Sequence, residues 1–196
     1  MPILFAVCLL VLAVTVSHQK ESRVAIAHAS DNDRESRYIA PFVRTPEEVV
    51  ARMLELAEMT PGDVLYDLGS GDGRIVIAAA KRYGIKAVGF EIDHALVEES
   101  RRAIKHEGLE NLVEIREQDI RFVDLSPASV VTMYLFPNAN LRLRRAIRSQ
   151  LKPGSRVVSH QFAMGDWTPA KTEQLKDSTG LTRTIYLWRI AATHGR

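Results

Sequence analysis

The stretch Asp67–Gly73 (DLGSGDG) decides the fold. It follows a short apolar run, 63–68 (DVLYDL), and precedes residues 74–83, which are rich in Ile, Val and Ala. A strand, a glycine turn and a helix in this order open a doubly wound α/β sheet, in which ligands bind beyond the carboxyl ends of the strands. The glycines permit a tight turn and let a ligand approach the backbone.

The alternation of strand and helix patterns continues after this turn and predicts a mostly parallel sheet covered by helices on both faces. The last two runs flank the turn signal Asp177–Gly180, which predicts a C-terminal antiparallel hairpin and a total of seven strands. Further strands are expected at 86–92, 112–116, 129–135, 155–162, 171–176 and 182–190, and helices at 93–107 and about 138–151.

A helix is also predicted before the first strand. Thr45 is placed to cap it, Pro46 suits its first position, and Glu48 completes a capping box. Apolar residues then recur at helical spacing up to Ala57, and Pro61 and Gly62 end the element.

Three acidic residues follow three successive strands: Asp67, Glu91 and Asp119. A carboxylate at the end of the second strand can accept hydrogen bonds from both hydroxyls of a ribose. Asp119 follows the third strand, where an adenine amino group can donate to a side chain. Together with the glycine loop, the three carboxylates indicate a site for an adenosyl ligand.

The charge before the glycines favours a cationic ligand over a dinucleotide. A dinucleotide fingerprint is GxGxxG, and its third glycine would fall on Arg74 here. Asp67 would repel a pyrophosphate, whereas it suits the amino group of a methionyl moiety. The sequence therefore predicts S-adenosylmethionine as the cofactor. A P-loop is excluded because no Gly-Lys-Ser or Gly-Lys-Thr follows the loop.

The N-terminal residues 1–23 form a hydrophobic anchor or signal segment, since Ile3–Val16 are almost all large and apolar. We expect an anchor that leaves the catalytic domain on the cytoplasmic side, because Lys20 and Arg23 follow the run and no basic residue precedes it. The alternative is a signal peptide cleaved near 27–29, with export of the domain. Residues 24–40 are interpreted as a linker and 41–196 as the folded domain.

Composition argues against other classes of partner. The chain has 196 residues with 26 basic and 24 acidic side chains, a net charge of +2, so no broad field attracts nucleic acid. The arginines at 142, 144, 145 and 148 are interpreted as a solvated helix face. Cys8 is the only cysteine, and the six histidines lack metal-ligand spacing, so we expect neither an intramolecular disulfide nor a metal site.

From residue 41 to about 190 the chain resembles the class I S-adenosylmethionine methyltransferases. Four stretches narrow this to the small membrane-anchored protein-lysine methyltransferases, whose eukaryotic members modify the c-ring protein of ATP synthase and the adenine nucleotide translocase. The stretches are PFVRTP (41–46), DLGSGDGRIVIAAA (67–80), VVTMYLFPNANLRLR (130–144) and RVVSHQFAMGDW (156–167).

The resemblance implies a role for each matching position. It places the cofactor against the loop, with the segment 41–46 folded over it and 134–138 facing the target nitrogen. We predict Tyr134 and Asn138 as catalytic residues that orient a lysine amine. The predicted cofactor-binding residues are Asp67, Gly69, Ser70, Gly71, Glu91, Asp119 and Thr45.

The predicted function is methylation of a lysine side chain in a protein, which the N-terminal segment places at a membrane. Two alternatives stay open: a methyltransferase for a lipid or quinone precursor, and a non-catalytic adenosyl-binding partner protein. His160 lies beyond the fifth strand, where it either acts on a proton or packs at the strand end. Many enzymes that methylate base nitrogens carry Asn/Asp-Pro-Pro-aromatic after the fourth strand, and this chain has 134–138 (YLFPN) instead.

Overall fold

The computed structural model describes residues 42–192. The described chain contains four α-helices and seven strands. In order they are α1 Glu47–Leu56, β1 Val64–Leu68, α2 Arg74–Tyr83, β2 Lys86–Glu91, α3 His94–His106, β3 Val113–Glu117, β4 Val130–Met133, α4 Pro137–Gln150, β5 Arg156–His160, β6 Lys171–Lys176 and β7 Thr182–Arg189. A short 3-10 helix, Ile120–Phe122, follows β3 and was not expected from the sequence.

The strands form one seven-stranded sheet in the order β3-β2-β1-β4-β5-β7-β6. The first five strands are parallel, and β7 runs antiparallel to both β5 and β6. The order reverses between β1 and β4, so the glycine loop after β1 lies at a topological switch point. The predicted fold class, a mostly parallel doubly wound sheet with a C-terminal hairpin, is confirmed.

Apolar side chains bury both faces of the sheet. One buried cluster joins α1, α2 and α3 to the sheet and includes Met53, Val76 and Val97. The other joins α4 to the opposite face and includes Leu143 and Ile147. Parallel strands buried on both faces are expected to be apolar throughout, as 130–133 (VVTM) nearly is.

The start of α1 differs from the prediction. Pro46 is the N-cap residue and no side chain caps the helix, so the predicted capping box of Thr45 and Glu48 is wrong. The Thr45 hydroxyl lies instead 3.3 Å from Nδ1 of His160. Glu48 accepts a hydrogen bond from the backbone N–H of Ser178. Both side chains are thus directed toward the C-terminal half of the sheet.

The amino edge of the sheet carries a buried ion pair between Asp63 and Arg156. The Arg156 Nη2 lies 2.5 Å from Oδ2 of Asp63, and Asp63 also accepts a hydrogen bond from the Ser129 hydroxyl at 2.6 Å. Burial would raise the pKa of Asp63, but these hydrogen bonds, with others from Thr60, lower it to about 2. Asp63, Ser129 and Arg156 thus link the amino ends of β1, β4 and β5. These ends lie opposite the carboxyl edge of the sheet, where the glycine loop is.

Replacing Arg156 by alanine should lower the free energy of unfolding by about 3 kcal/mol, because it leaves the Asp63 carboxylate buried and short of a partner. Urea denaturation at neutral pH measures the change. Arg189→Ala is the matched control, since its partner Glu58 is largely exposed and the pair contributes little. Equal losses in the two variants would contradict the assigned role of Asp63.

The predicted N-terminal segment and linker, 1–23 and 24–40, lie outside the described residues, so their predictions are not tested by the fold. No helix within residues 42–192 is both long and apolar enough to cross a membrane. Across the same residues, no group of three or more His, Cys, Asp or Glu side chains is arranged to hold a metal ion.

Candidate active site

Strand register brings the polar residues of β1 and β4 together. Asp67 pairs with Thr132, so both side chains point to the same face of the sheet at its carboxyl edge. The Thr132 hydroxyl donates to Oδ1 of Asp67 at 2.7 Å. Oδ2 of Asp67 is also buried, and no described group donates a hydrogen bond to it. One carboxylate oxygen is therefore held in place and the other is left to a ligand.

The surroundings of Asp67 disfavour its charged form. Burial raises the pKa of Asp67 to about 7 against the opposing hydrogen bond from Thr132, and the nearby carboxylates of Glu91 and Asp72 add to the rise. A cation placed at Oδ2 would offset this cost, because an opposite charge stabilises the carboxylate. A pyrophosphate at the same place would increase the cost of keeping the Asp67 carboxylate charged.

The glycine loop is wound through left-handed backbone conformations. Gly69, Gly71 and Gly73 have φ of +77°, +54° and +79°, which residues with a side chain rarely adopt. The Gly71 N–H donates to Oε2 of Glu91 at 2.9 Å. Oε1 of Glu91 accepts from the N–H groups of Ile92 and Asp93. Glu91 is thus fixed at the carboxyl end of β2, directly beside the loop.

The segment preceding α1 lies across this loop. A Cβ built on Gly71 would overlap the Phe42 ring, so the ring rests on the loop backbone. Arg44 is paired with Asp72 of the loop, its Nε 3.0 Å from Oδ2. Arg74 donates to the Thr45 carbonyl at 2.8 Å. Residues 42–45 therefore form a strap, held to the loop by Asp72 and Arg74.

Hydrogen bonds from two arginines keep the loop carboxylate of Asp72 charged. Burial would raise the pKa of Asp72, but hydrogen bonds from Arg74 and Arg44 outweigh burial and leave that pKa below its ordinary value. Asp72 is thus a charged anchor for the strap, which distinguishes it from Asp67. From the sequence, Asp72 and Arg74 are expected to cap the loop and its helix. No side chain caps α2, and the two residues hold the strap instead, which was not predicted.

Tyr134 and His160 form a second row of side chains, two residues beyond the pair of Asp67 and Thr132 along the strands. Thr132 pairs with Val158, so Tyr134 and His160, each two residues further along, face the same side. Their ring centroids are 4.0 Å apart. His160 is fully buried, with Nδ1 against the Thr45 hydroxyl and Nε2 without a hydrogen-bond partner among the described residues. The row connects the strap to the ends of β4 and β5.

Two phenylalanines extend this row toward solvent. The Phe162 ring centroid lies 6.3 Å from that of Tyr134 and 6.0 Å from that of Phe136, which is 45% exposed. Gln161 between His160 and Phe162 has a φ of +68°, and the Phe162 N–H donates to the His160 carbonyl at 2.8 Å. This rare, strained γ-turn directs Phe162 back across the aromatic group formed by Tyr134, Phe136, His160 and Phe162.

Asn138 and Asn140 occupy different positions on α4. Asn138 is exposed in the first turn, where its predicted catalytic role stays a prediction. Asn140 is fully buried and donates from Nδ2 to the Phe162 carbonyl at 3.0 Å, which supports the turn at residue 161. Asn140 was not predicted as a functional residue, although it is a polar residue on the face of α4 that packs against the protein core.

Asp119 lies beyond β3 at the far end of the site. It begins the 3-10 helix, and its carboxylate accepts hydrogen bonds from the backbone and the guanidinium of Arg121. Its predicted contact with adenine stays a prediction. Asp67, Gly69, Ser70, Gly71, Glu91 and Thr45 lie in or beside the loop. Asp119 follows the end of the neighbouring strand β3, where the Gln118 N–H donates to the Glu91 carbonyl.

The residues present fit the cofactor predicted from the sequence. Oδ2 of Asp67 is a buried acceptor aimed at no described protein donor, and the glycine loop exposes backbone where a side chain would interfere. Glu91 stands one strand away in position for a ribose. This fold and site define a class I S-adenosylmethionine-dependent methyltransferase.

Comparison with known proteins identifies the family. The ANTKMT methyltransferase domain matches residues 67–171, and the chain belongs to this family. It is 43% identical to a protein-lysine N-methyltransferase of Saccharolobus islandicus, over 76% of this chain and 93% of that protein. It is 33% identical to the mouse adenine nucleotide translocase lysine N-methyltransferase, over 68% of this chain but only 58% of that protein.

A solved structure shows the same fold. An RNA methyltransferase from Salinibacter ruber, in complex with S-adenosyl-L-homocysteine, is 49% identical with a TM-score of 0.73. The match covers 79% of this chain and 97% of that one. The bound product form of the cofactor in that structure agrees with the S-adenosylmethionine dependence of this chain.

Buried His160 should make stability depend on pH. Burial, together with the positive charge of Arg183, lowers the pKa of His160 to about 4 from an ordinary 6.5. Between these values the unfolded chain binds the proton and the folded chain does not, so the free energy of unfolding falls as pH drops. His160 alone should contribute a loss of about 2 kcal/mol between pH 8 and pH 5.

The difference between wild type and His160→Gln isolates this contribution, because other titrating groups contribute alike to both proteins. Urea denaturation at pH 8, 6 and 5 gives the comparison. The wild type should lose stability relative to the variant as pH falls. A constant difference across this range would show that His160 titrates normally.

Proposed function

We propose that this protein transfers a methyl group from S-adenosylmethionine to the ε-amino group of a lysine in a membrane-associated protein. The main support is the aromatic group at the carboxyl ends of β4 and β5. Tyr134 and His160 belong to it, and they lie two residues beyond the strand positions that pair at the level of Asp67, on the same side of the sheet. The relatives support the proposal, because the Saccharolobus islandicus and mouse proteins are both lysine N-methyltransferases.

The chemistry makes few demands on the protein. S-adenosylmethionine supplies an electrophilic methyl on a sulfonium, so no nucleophilic side chain or metal is needed. The protein has to align the acceptor and exclude water. A lysine must arrive neutral, and a desolvated position beside the aromatic group would lower the pKa of the lysine and favour the neutral amine. The Tyr134 hydroxyl is the candidate for orienting its lone pair.

Charge at the site suits a lysine before and after reaction. His160 is neutral at cytosolic pH because its pKa is about 4, so it does not repel an incoming ammonium or the methylated product. The aromatic faces of Tyr134, Phe136 and Phe162 can stabilise a methylated ammonium by cation–π interaction. The uncharged aromatic group thus favours both the desolvation of the substrate amine and the binding of the methylated product.

RNA is the second candidate substrate, because the Salinibacter ruber protein at 49% identity is an RNA methyltransferase. The balanced net charge of +2 gives this candidate less support than the aromatic group gives to lysine. Both candidates use the same cofactor site, so only the product distinguishes them.

For location, we propose that the apolar run 3–16 anchors the chain in a membrane with the catalytic domain on the cytoplasmic side. The basic residues Lys20 and Arg23 after the run support this orientation. The cofactor is made in the cytosol, which also favours it. A mature N-terminus that starts after residue 29 would support the signal-peptide alternative instead.

The test incubates the full-length protein with cell membranes, cytosol and total RNA in the presence of methyl-labelled S-adenosylmethionine. We expect the label in membrane protein, as methyllysine after hydrolysis, and none with Asp67→Asn. Label in lipid or in RNA would replace the proposed substrate. Cofactor binding with no label in any fraction would support the non-catalytic alternative.

A further inference from the structure

Within residues 42–192, the large exposed apolar side chains are confined to the carboxyl edge of the sheet, where the parallel strands end. Among the described residues there are six: Phe42, Val43, Phe122, Phe136, Leu141 and Leu181. Two lie on the strap over the loop after β1, and the next two follow β3 and β4. Leu141 lies in the second turn of α4, and Leu181 directly precedes the antiparallel β7. All six surround the carboxyl edge, and none of them lies at the opposite edge.

Basic side chains adjoin this apolar rim. Helix α4 begins at the rim and contains no acidic residue. Arg144 is paired with Asp166, and Arg148 lies 5.5 Å from the centroid of the Trp167 ring. Arg142 and Arg145 are exposed and make no ion pair with a described residue. An outer helix face with two uncompensated charges therefore continues from the apolar rim.

We propose that this edge of the molecule docks on an anionic membrane surface, with the six apolar side chains at the headgroup level and Arg142 and Arg145 against the lipid phosphates. The proposal rests on the proposed membrane association and deepens it. Apolar side chains gathered at one rim, with arginines beside them, suit an interface of apolar lipid chains and anionic headgroups. A protein partner would be expected to require one contiguous apolar patch, and RNA would require a wider basic field.

The sequence that precedes the rim supports this occupant. The apolar residues 3–16 are joined through 17–41 to Phe42, which already lies on the rim over Gly71. A tether of this kind raises the effective concentration of the rim at the same surface, so weak docking suffices. A docked rim would present the site to a lysine at the membrane surface and exclude water from it.

The test uses full-length protein with Cys8→Ser and one new cysteine that carries an environment-sensitive dye. Leu181→Cys places the dye on the rim, and Lys152→Cys places it on an exposed loop at the opposite edge. The proteins are reconstituted in phosphatidylcholine vesicles with or without phosphatidylglycerol, which contain lipids with quenching acyl chains. We expect quenching at position 181 in the anionic vesicles and little at position 152.

Charge variants test the role of α4. Arg142→Gln with Arg145→Gln should lower the ratio of docked to undocked protein about 30-fold in the anionic vesicles. Arg102→Gln with Lys105→Gln removes the same charge from α3 and should leave the ratio unchanged. Equal quenching at positions 181 and 152 would overturn the proposal, as would a dye response to added RNA but not to vesicles.

Failure here is distinguishable from failure of the proposed function. Methyllysine formation on detergent-solubilised membrane protein does not need the docked state, so the Arg142 and Arg145 variant should retain it. Lysine methylation without rim quenching would overturn the docking alone. Rim quenching without lysine methylation would overturn the proposed function.

Discussion

Asp67→Asn should weaken the binding of S-adenosylmethionine at least about 100-fold. The buried Oδ2 of Asp67 has no donor among the described residues, and a charge-assisted bond in a buried site contributes several kcal/mol when it is removed. The amide keeps the size of the side chain but replaces a charged acceptor with a neutral group. Calorimetric titration of both proteins at pH 8 measures the change.

The control for this variant is Asp124→Asn, which removes one carboxylate from an exposed position outside the site. It should bind the cofactor as the wild type does. Thermal denaturation without cofactor should show that Asp67→Asn is folded, and more stable than the wild type at pH 8, because burying the ionised carboxylate is costly. Normal cofactor affinity in Asp67→Asn would show that the site is placed wrongly.

Gly71→Ala should also lower cofactor affinity, by about tenfold or more, and for a different reason. A methyl group at this position overlaps the Phe42 ring, so the strap has to move away from the loop. The same backbone has a φ of +54°, which adds a conformational cost of about 1 kcal/mol in the folded state. The variant thus changes both the strap and the loop.

Gly84→Ala separates these two effects. Gly84 has a φ of +65° at the end of α2, and a methyl group there meets nothing within 4 Å. Gly84→Ala should lose about 1 kcal/mol of stability because of its backbone conformation, and Gly71→Ala should lose at least as much, both measured by urea denaturation. Only Gly71→Ala should lose cofactor affinity. Similar affinity losses in the two variants would mean that the strap makes no contribution to binding.

Most of the fold could be predicted from local patterns. The apolar runs separated by Gly, Pro and polar turns give all seven strands, and α2 begins and ends as expected at 74–83. Thr45 shows where this fails. Its sequence neighbours form a good capping box, but a tertiary contact with His160 determines the direction of its side chain. Such a long-range partner leaves no signal within the local sequence.

The site residues that lie at the carboxyl ends of strands could be predicted from the sequence. Asp67 and Glu91 each end a strand in the sequence, and parallel pairing brings such ends to one edge. Thr132 could not be assigned because its partnership with Asp67 depends on the register of β1 against β4. The buried network of Asn140 with the strained turn at 161 depends on packing across α4 in the same way.

The pH dependence of cofactor binding tests the central claim most directly, namely that the buried Asp67 carboxylate holds a cation. Burial raises the pKa of Asp67 to about 7, so below this pH the carboxyl must lose a proton before it binds a positive charge. The affinity for S-adenosylmethionine, measured by calorimetry, should rise about tenfold per unit from pH 5 to pH 7 and level off above. An affinity that is constant over this range, and equal to that of Asp67→Asn, would contradict the claim.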